Sequence, residues 1–380
     1  MPGRLFTPLR VGRMELSTRV VMAPLTRSRA PGGIPNEMMA RYYAQRANPA
    51  TGASLIISEG AGISARSFGY VDVPGIYNAE QAAGWKLVTD AVHEQGGRIF
   101  CQLWHVGRVS HTSLQPKEGA PIAPSAICAE AQTYIPAAGG GGGGEARPAS
   151  EPRELMFTEM SEIVRTFAAA ARLALDDAGF DGVEIHAANG YLLDQFLKST
   201  ANQRTDTYGG DIEGRCRLPL EVIRAVVKAA GGGARVGLRI SPVSPANGIG
   251  TDPEAQPLFE HLLREAGSSQ LAYVHVVEGA TGGARELPQA FDYKALCAAW
   301  RDGGAQGAWM VNNGYNAEMA EQALIDGPAE LVSFGRPFIA NPDLGARMER
   351  GAALNEFDRA TLYGGGEEGY LDYPALPAEA

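Results

Sequence analysis

The pattern that most constrains this chain is an unbroken alternation of short, apolar β-rich runs with amphipathic helical stretches. Eight such runs recur, at residues 19–26, 54–60, 97–104, 182–188, 236–241, 273–279, 309–314 and 331–336. They are nearly continuous in apolar residues, as strands covered on both faces must be, and so point to a buried parallel sheet. Helical spacing fills the intervals, at 36–47, 82–94, 158–178, 213–230, 253–266, 292–301, 317–325 and 337–350. In the third of these Thr158 is placed to cap, Ile163, Phe167, Ala170, Ala171 and Ala174 share a face, and Gly179 ends the helix. Eight strand–helix repeats predict an α/β fold, a (β/α)8 TIM barrel, with residues 1–380 as one domain. An open doubly wound sheet is the alternative. It calls for a G-x-G-x-x-G turn after the first strand, and Met22-Ala23-Pro24-Leu25-Thr26 offers none.

One stretch interrupts the rhythm. Residues 106–152 hold Pro116, Pro121, Pro124 and Pro136 and a glycine run at 139–144. A loop of this length is either functional or disordered. Following strand three, it is expected to cap the top of the barrel, with the glycines as a linker-like tip.

Composition excludes several partners. A formal charge of −10 argues against nucleic acid and against anionic membrane surfaces. The four cysteines, Cys101, Cys128, Cys216 and Cys297, show no zinc or iron–sulfur spacing, so no metal site is expected. Free thiols and the absence of a signal-like apolar start after Met1 make cytoplasmic the expected location, as a monomer or homodimer.

In a parallel barrel the chemistry sits at the carboxyl ends of the strands. Here those ends carry Thr26, Glu59-Gly60, Gln102 to His105, His186 with Asn189, Arg239, Glu278, Asn312-Asn313-Gly314 and Gly335-Arg336. No lysine is among them, which disfavours Schiff-base chemistry. Gly314, Gly335 and Arg336 follow strands seven and eight, where barrels bind phosphate, although glycines also serve tight turns. Thr26, Gln102 and Arg239 suit a planar heterocycle with carbonyl and N–H edges, such as an isoalloxazine, or are simply polar residues capping the core. His186, Asn189 and Tyr191 follow a buried strand; alone they read equally as a satisfied histidine and a surface turn.

The run from His186 to Gly210, HAANGYLLDQFLKSTANQRTDTYGG, carries a resemblance that extends nearly end to end. It is joined by LFTPLRVGRMELSTRVVMAPLTRSRA (5–30), YYAQRA (42–47), SEGAGIS (58–64), QLWHVGRVSH (102–111), GLRISP (237–242), FGRPFIANPDL (334–344) and DRATLYGGGEEGYLDYP (358–374). The chain resembles the Old Yellow Enzyme family of FMN-dependent ene-reductases, in its bacterial branch. The resemblance implies non-covalent FMN, with Thr26 tuning the flavin, Gln102 and Arg239 at its pyrimidine edge, and Pro24, Leu25 and Gly60 lining the ring. It implies a phosphate site of Asn313, Gly314, Gly335 and Arg336. It makes His186 and Asn189 the grip on the substrate's carbonyl or nitro oxygen, Tyr191 the proton donor, and Trp104 and Tyr363 walls of the substrate pocket. The implied partners are activated alkenes as small-molecule substrates and NADPH as reductant, with NADH also possible.

Two residues and one segment depart from relatives. Asn189 stands where some carry His, Leu362 precedes Tyr363 where an aromatic is common, and the glycine run in the cap is distinctive. Thr26 in place of cysteine separates the chain from the thermophilic-like branch. An iron–sulfur dienoyl-CoA reductase relative would need a cysteine cluster that this chain lacks. The remaining alternative is a flavin-binding barrel that acts on nitro compounds or nitrate esters, or senses redox state, without alkene turnover.

Overall fold

The alternation closes on itself. A computed structural model describes residues 3–137 and 144–377. In it eight strands pair in parallel, in chain order: β1 (Val20–Met22), β2 (Leu55–Gly62), β3 (Ile99–Trp104), β4 (Gly182–Ala187), β5 (Val236–Ile240), β6 (Tyr273–Val277), β7 (Ala308–Asn312) and β8 (Leu331–Phe334). β8 pairs back onto β1 and closes the barrel. The helices that follow the strands are α1 (Glu37–Arg46), α2 (Ala79–Glu94), α3 (Met160–Arg172), α4 (Ile212–Ala229), α5 (Ala255–Gly267), α6 (Tyr293–Asp302), α7 (Ala317–Asp326) and α8 (Leu344–Arg350). The register brings polar strand-end residues to one height. Gln102 lies opposite both Gly60 and Glu184, and Arg239 lies between His186 and His275.

Three local expectations change for identifiable reasons. The first strand stops at Met22 instead of Thr26, because Pro24 has no N–H to give a ladder. Thr158 is not an N-cap. It sits inside a 3-10 turn, Phe157–Glu159, where the Glu159 carboxylate accepts the Met156 N–H at 2.8 Å. The eighth helical stretch is two pieces, Arg336–Ala340 and α8, separated at Pro342, and the Asn341 amide donates to the Pro337 carbonyl at 2.8 Å.

Two features escape the strand–helix rhythm. A hairpin of Leu9–Val11 and Met14–Leu16 plugs the barrel floor, packing Val11, Met14 and Leu16 against Val21, Ile57, Phe100 and Met310. Each such fully buried side chain contributes about 1.5–3 kcal/mol. Gly12 makes the hairpin turn at φ +54°, where a Cβ would lie 2.1 Å from the Ala234 carbonyl oxygen.

The 106–152 segment is not irregular throughout. It contains an antiparallel hairpin, Gln132–Ile135 with Glu145–Pro148, and a short parallel pairing of Ile122–Ala123 with Arg153–Glu154. The hairpin is tied to the loop after β2, where the Val71 N–H donates to the Tyr134 carbonyl at 2.8 Å. The expected glycine tip, apart from Gly144, lies outside the described residues. Among the described residues no helix is long and apolar enough to cross a membrane.

Candidate active site

The turn after β4 is held from both sides. Asn189 and Gly190 take φ +60° and +74°, a region that asparagine tolerates and glycine enters freely. The Gly190 N–H donates to the Asp194 carboxylate at 2.8 Å, and its carbonyl accepts from Gln195 Nε2 at 2.7 Å. Asp194 is paired in turn with the fully buried Lys198 at 3.3 Å. The Asp-Gln that follows the Asn-Gly is therefore the clamp that fixes the turn.

That turn sets the polarity of two donors. The Ala188 N–H donates to His186 Nδ1 at 3.3 Å. Burial first, and the Arg239 and His275 charges after it, hold the His186 imidazole well below its usual pKa. A neutral ring that accepts at Nδ1 carries its proton on Nε2. Asn189 accepts the Thr281 hydroxyl on Oδ1 at 2.7 Å, and its Nδ2 donates to no acceptor among the described residues.

Tyr191 completes the group. Its hydroxyl lies 3.2 Å from that of Tyr70. Burial raises its pKa, opposed by hydrogen bonds from Tyr70 and Asn247. The ring stands edge-on to Trp104 at 4.9 Å and to His186 at 5.2 Å. Trp104 lies nearly parallel to both Tyr70 and His186. It is almost wholly buried, and a Cβ on Gly60 would lie 2.5 Å from its indole. Trp104 and Gly60 thus back the site as a closely packed pair.

Two adjoining cavities, of about 560 Å³ and 430 Å³, share Pro24, Leu25 and Arg336 and form one crevice across the strand ends. The outer one is lined by Thr26, Tyr70, Tyr134, Tyr191, Asn247 and Tyr363. The inner one is lined by Arg239, Thr281, Asn313, Gly314 and Gly335. Asn189 bridges them, since it is bonded to Thr281 of the inner cavity and through its carbonyl to Asn247 of the outer one at 2.9 Å.

Beneath lies a chain of buried polar side chains. Gln102 Nε2 donates to Glu184 Oε1 at 2.8 Å, Glu184 Oε2 meets His275 Nδ1 at 2.9 Å, and His275 Nε2 meets Ser333 Oγ at 2.7 Å. Arg239 donates to Asn312 Oδ1 at 3.2 Å. On Gln102 and Arg239, two side-chain atoms have no protein partner among the described residues. Gln102 Oε1 accepts from nothing, and Arg239 Nε is a buried donor with no acceptor. An unspent acceptor on β3 and an unspent cationic donor on β5 suit the pyrimidine edge of a flavin, whose imide N–H needs the first and whose carbonyls need the second.

The other end suits a phosphate. The N–H groups of Gly314 and Gly335 donate to no protein acceptor among the described residues, and the exposed Arg336 guanidinium stands at Gly282. Asn313 behaves differently from the expectation for its side chain. Its Nδ2 donates to the Glu278 and Ala280 carbonyls at 2.6 Å and 2.8 Å, and its Oδ1 accepts from the Gly282 N–H at 3.1 Å. The side chain staples the loop after β6, which leaves only the backbone to face the cavity.

The C-terminal segment forms one rim. Arg27 donates to the Leu362 and Gly369 carbonyls at 2.9 Å and 2.8 Å, and Arg29 to the Thr361 carbonyl at 3.0 Å. Tyr363, thus held, is 54% exposed and stacks on Tyr134 of the cap hairpin at 6.4 Å. Below Arg27 the fully buried Glu59 accepts the Arg27 N–H at 3.4 Å and the Tyr43 hydroxyl at 3.3 Å. Burial pushes its carboxyl up to about 7 against those two groups and the guanidinium charge.

Tyr70, Tyr134, Asn247 and Thr281 are not evident in the sequence. They sit in loops without periodicity, and only the closure of the barrel brings them to the crevice.

The sequence profile of the NADH:flavin oxidoreductase / NADH oxidase family matches residues 4–355. The chain belongs to this family. Within it, the chain is 44% identical over 384 residues to 12-oxophytodienoate reductase 7 of Oryza sativa subsp. japonica, covering 98% of this chain and 94% of the relative. It is 43% identical over 387 residues to chanoclavine-I aldehyde reductase of Penicillium roqueforti, covering 99% and 97%. The solved structure of morphinone reductase in complex with tetrahydroNAD superposes with a TM-score of 0.90 at 46% identity, covering 99% of this chain and 98% of that one. An old yellow enzyme homologue from Zymomonas mobilis does so at 0.89 and 38%, covering 98% and 99%. The resemblance to the Old Yellow Enzymes therefore holds. The protein is an NAD(P)H-dependent oxidoreductase of an FMN-dependent family.

Proposed function

We propose that this protein is an ene-reductase that uses NADPH, or NADH, to reduce the C=C bond of α,β-unsaturated carbonyl and nitro compounds. The observation that carries this reading is the placement of two donors of fixed polarity, His186 Nε2–H and Asn189 Nδ2–H, beside the Tyr191 phenol. Tyr191 lines the outer cavity, Asn189 links it to the inner one, and His186 packs edge-on against Tyr191.

FMN, held non-covalently across this crevice, would supply hydride chemistry for the β-carbon of the alkene. Gln102, Arg239 and Thr26 would hold its ring edge, Pro24, Leu25 and Gly60 would line the ring, and the backbone at Asn313, Gly314 and Gly335 with Arg336 would hold its phosphate. As the β-carbon is reduced, negative charge grows on the substrate's activating oxygen. His186 and Asn189 donate to that oxygen, an arrangement in which loss of one donor typically costs about 10²–10³ in rate. Tyr191 donates its proton to the α-carbon, and the hydrogen bonds from Tyr70 and Asn247 favour the phenolate left behind. Tyr363 and Trp104 bound the pocket in front and behind, and the 106–152 segment covers it as part of one catalytic domain of residues 1–380. The four unpaired cysteines support a reducing, cytoplasmic setting.

The test is steady-state NADPH oxidation by the FMN-loaded protein with 2-cyclohexenone. Enone-dependent NADPH consumption with cyclohexanone as product supports the reading. A yellow protein without enone-dependent turnover overturns it and favours a flavin-binding barrel that serves nitro compounds or redox sensing.

A further inference from the structure

Asn189 stabilises a substrate oxygen only when its amide nitrogen faces the crevice. With the amide turned over, an oxygen lone pair would confront the developing negative charge. Asparagine has no intrinsic preference between the two orientations, so a neighbour has to choose.

The neighbours here form a chain of one polarity. Ser244 Oγ accepts the Thr281 N–H at 3.0 Å and the Ala246 N–H at 3.4 Å. With both lone pairs engaged, the Ser244 hydroxyl has its own hydrogen to give, and Thr281 Oγ1 lies 2.8 Å away. Thr281 Oγ1 accepts it and passes its own hydrogen to Asn189 Oδ1 at 2.7 Å. An inverted amide would make Thr281 Oγ1 accept twice and strand its hydrogen without an acceptor. Ser244 is itself anchored, since its carbonyl accepts from the buried Lys198 ammonium at 3.0 Å. Thr281 is anchored through the loop that Asn313 staples at Ala280 and Gly282.

We propose that Thr281, oriented by Ser244, is a positioning residue that turns the Asn189 amide nitrogen toward the substrate oxygen. The loop after β6, which lines the flavin-side cavity, thereby controls the grip on substrate. This inference rests on the reading of Asn189 as part of that grip.

The test compares Thr281→Val, which keeps the shape and removes the hydroxyl, with Thr281→Ser, which restores it. Each is made in the wild-type and Asn189→Ala backgrounds. The readouts are titration of the FMN-loaded protein with 4-hydroxybenzaldehyde, whose phenolate gives a long-wavelength band over oxidised flavin, and KM against kcat for 2-cyclohexenone. Loss of a hydrogen bond of this kind predicts about tenfold weaker phenolate binding in Thr281→Val, with a raised KM and an unchanged flavin-to-protein ratio. Thr281→Ser returns binding to within about twofold, and Thr281→Val adds less than about twofold once Asn189 is alanine. Wild-type binding in Thr281→Val while Asn189→Ala is impaired overturns the role of Thr281 alone. Equal weakening in both backgrounds, or no rescue by serine, also overturns it, by showing a merely structural effect. An Asn189→Ala protein that binds the phenolate normally overturns the underlying reading of Asn189 and this inference with it.

Discussion

Gly60→Ala should injure catalysis through a residue that lines neither cavity. The added Cβ would stand 2.5 Å from Trp104 Cε3, 2.7 Å from Cδ2 and 3.1 Å from Cγ. Carbon atoms sit comfortably at about 3.5–4.0 Å, so the indole has to retreat by about 1 Å. Aromatic rings stand on three sides of it. Tyr70 and His186 lie nearly parallel to it, at 5.8 Å and 6.3 Å between ring centres, and Tyr191 stands against it edge-on. The displacement therefore passes to the grip and to the proton donor, and a misplacement of about 1 Å at reacting groups costs about 10²-fold. Overpacking adds a destabilisation of about 1–3 kcal/mol. The assay is kcat/KM for 2-cyclohexenone, with flavin content and thermal midpoint measured on the same preparation. We expect roughly a 100-fold loss in a protein that still binds FMN. Gly366→Ala, whose Cβ meets nothing within 4 Å, is the control. A Gly60→Ala protein within about threefold of wild type would refute the argument that Trp104 transmits the clash.

Two further outcomes follow from the site. Replacing His186 and Asn189 together by alanine should abolish the phenolate–flavin band, and persistence of that band in a titration would remove the pair from the oxygen grip. Glu59, with its carboxyl raised from 4.5 to about 7, holds a proton more readily folded than unfolded. Its stabilising contribution is fully present below about pH 4.5 and is lost as pH rises through about 7. Glu59→Gln should therefore gain stability over wild type on going from pH 4.5 to 8.5, by roughly 3 kcal/mol. Denaturant unfolding of both proteins across that range checks it, and parallel pH profiles would contradict it.

The barrel is legible in the sequence because β2 to β8 are buried on both faces and read as apolar runs bounded by polar ends. Thr26 reaches the crevice on a loop and not at a strand end, since Pro24 ends the strand early. The polarity of the His186–Asn189 grip was not legible. It depends on hydrogen bonds to Ala188 and Thr281, and Thr281 lies 92 residues from Asn189 in the chain. Asn313 shows the same limit in reverse, because an asparagine after a strand can face a phosphate or staple a loop, and only packing decides. The cap hairpin was hidden because a single four-residue strand, Gln132–Ile135, is too short to show alternation.

The central claim is that Tyr191, flanked by His186 and Asn189, completes reduction of an activated alkene. The most direct measurement is anaerobic single turnover, mixing the pre-reduced FMN-loaded protein with 2-cyclohexenone and following reoxidation of the flavin. The account predicts rapid, saturable reoxidation in wild type and slowing by about 10² or more in Tyr191→Phe, with reduction of the flavin by NADPH far less affected. A flavin that stays reduced in the presence of the enone, or equal slowing of both half-reactions in Tyr191→Phe, would contradict it.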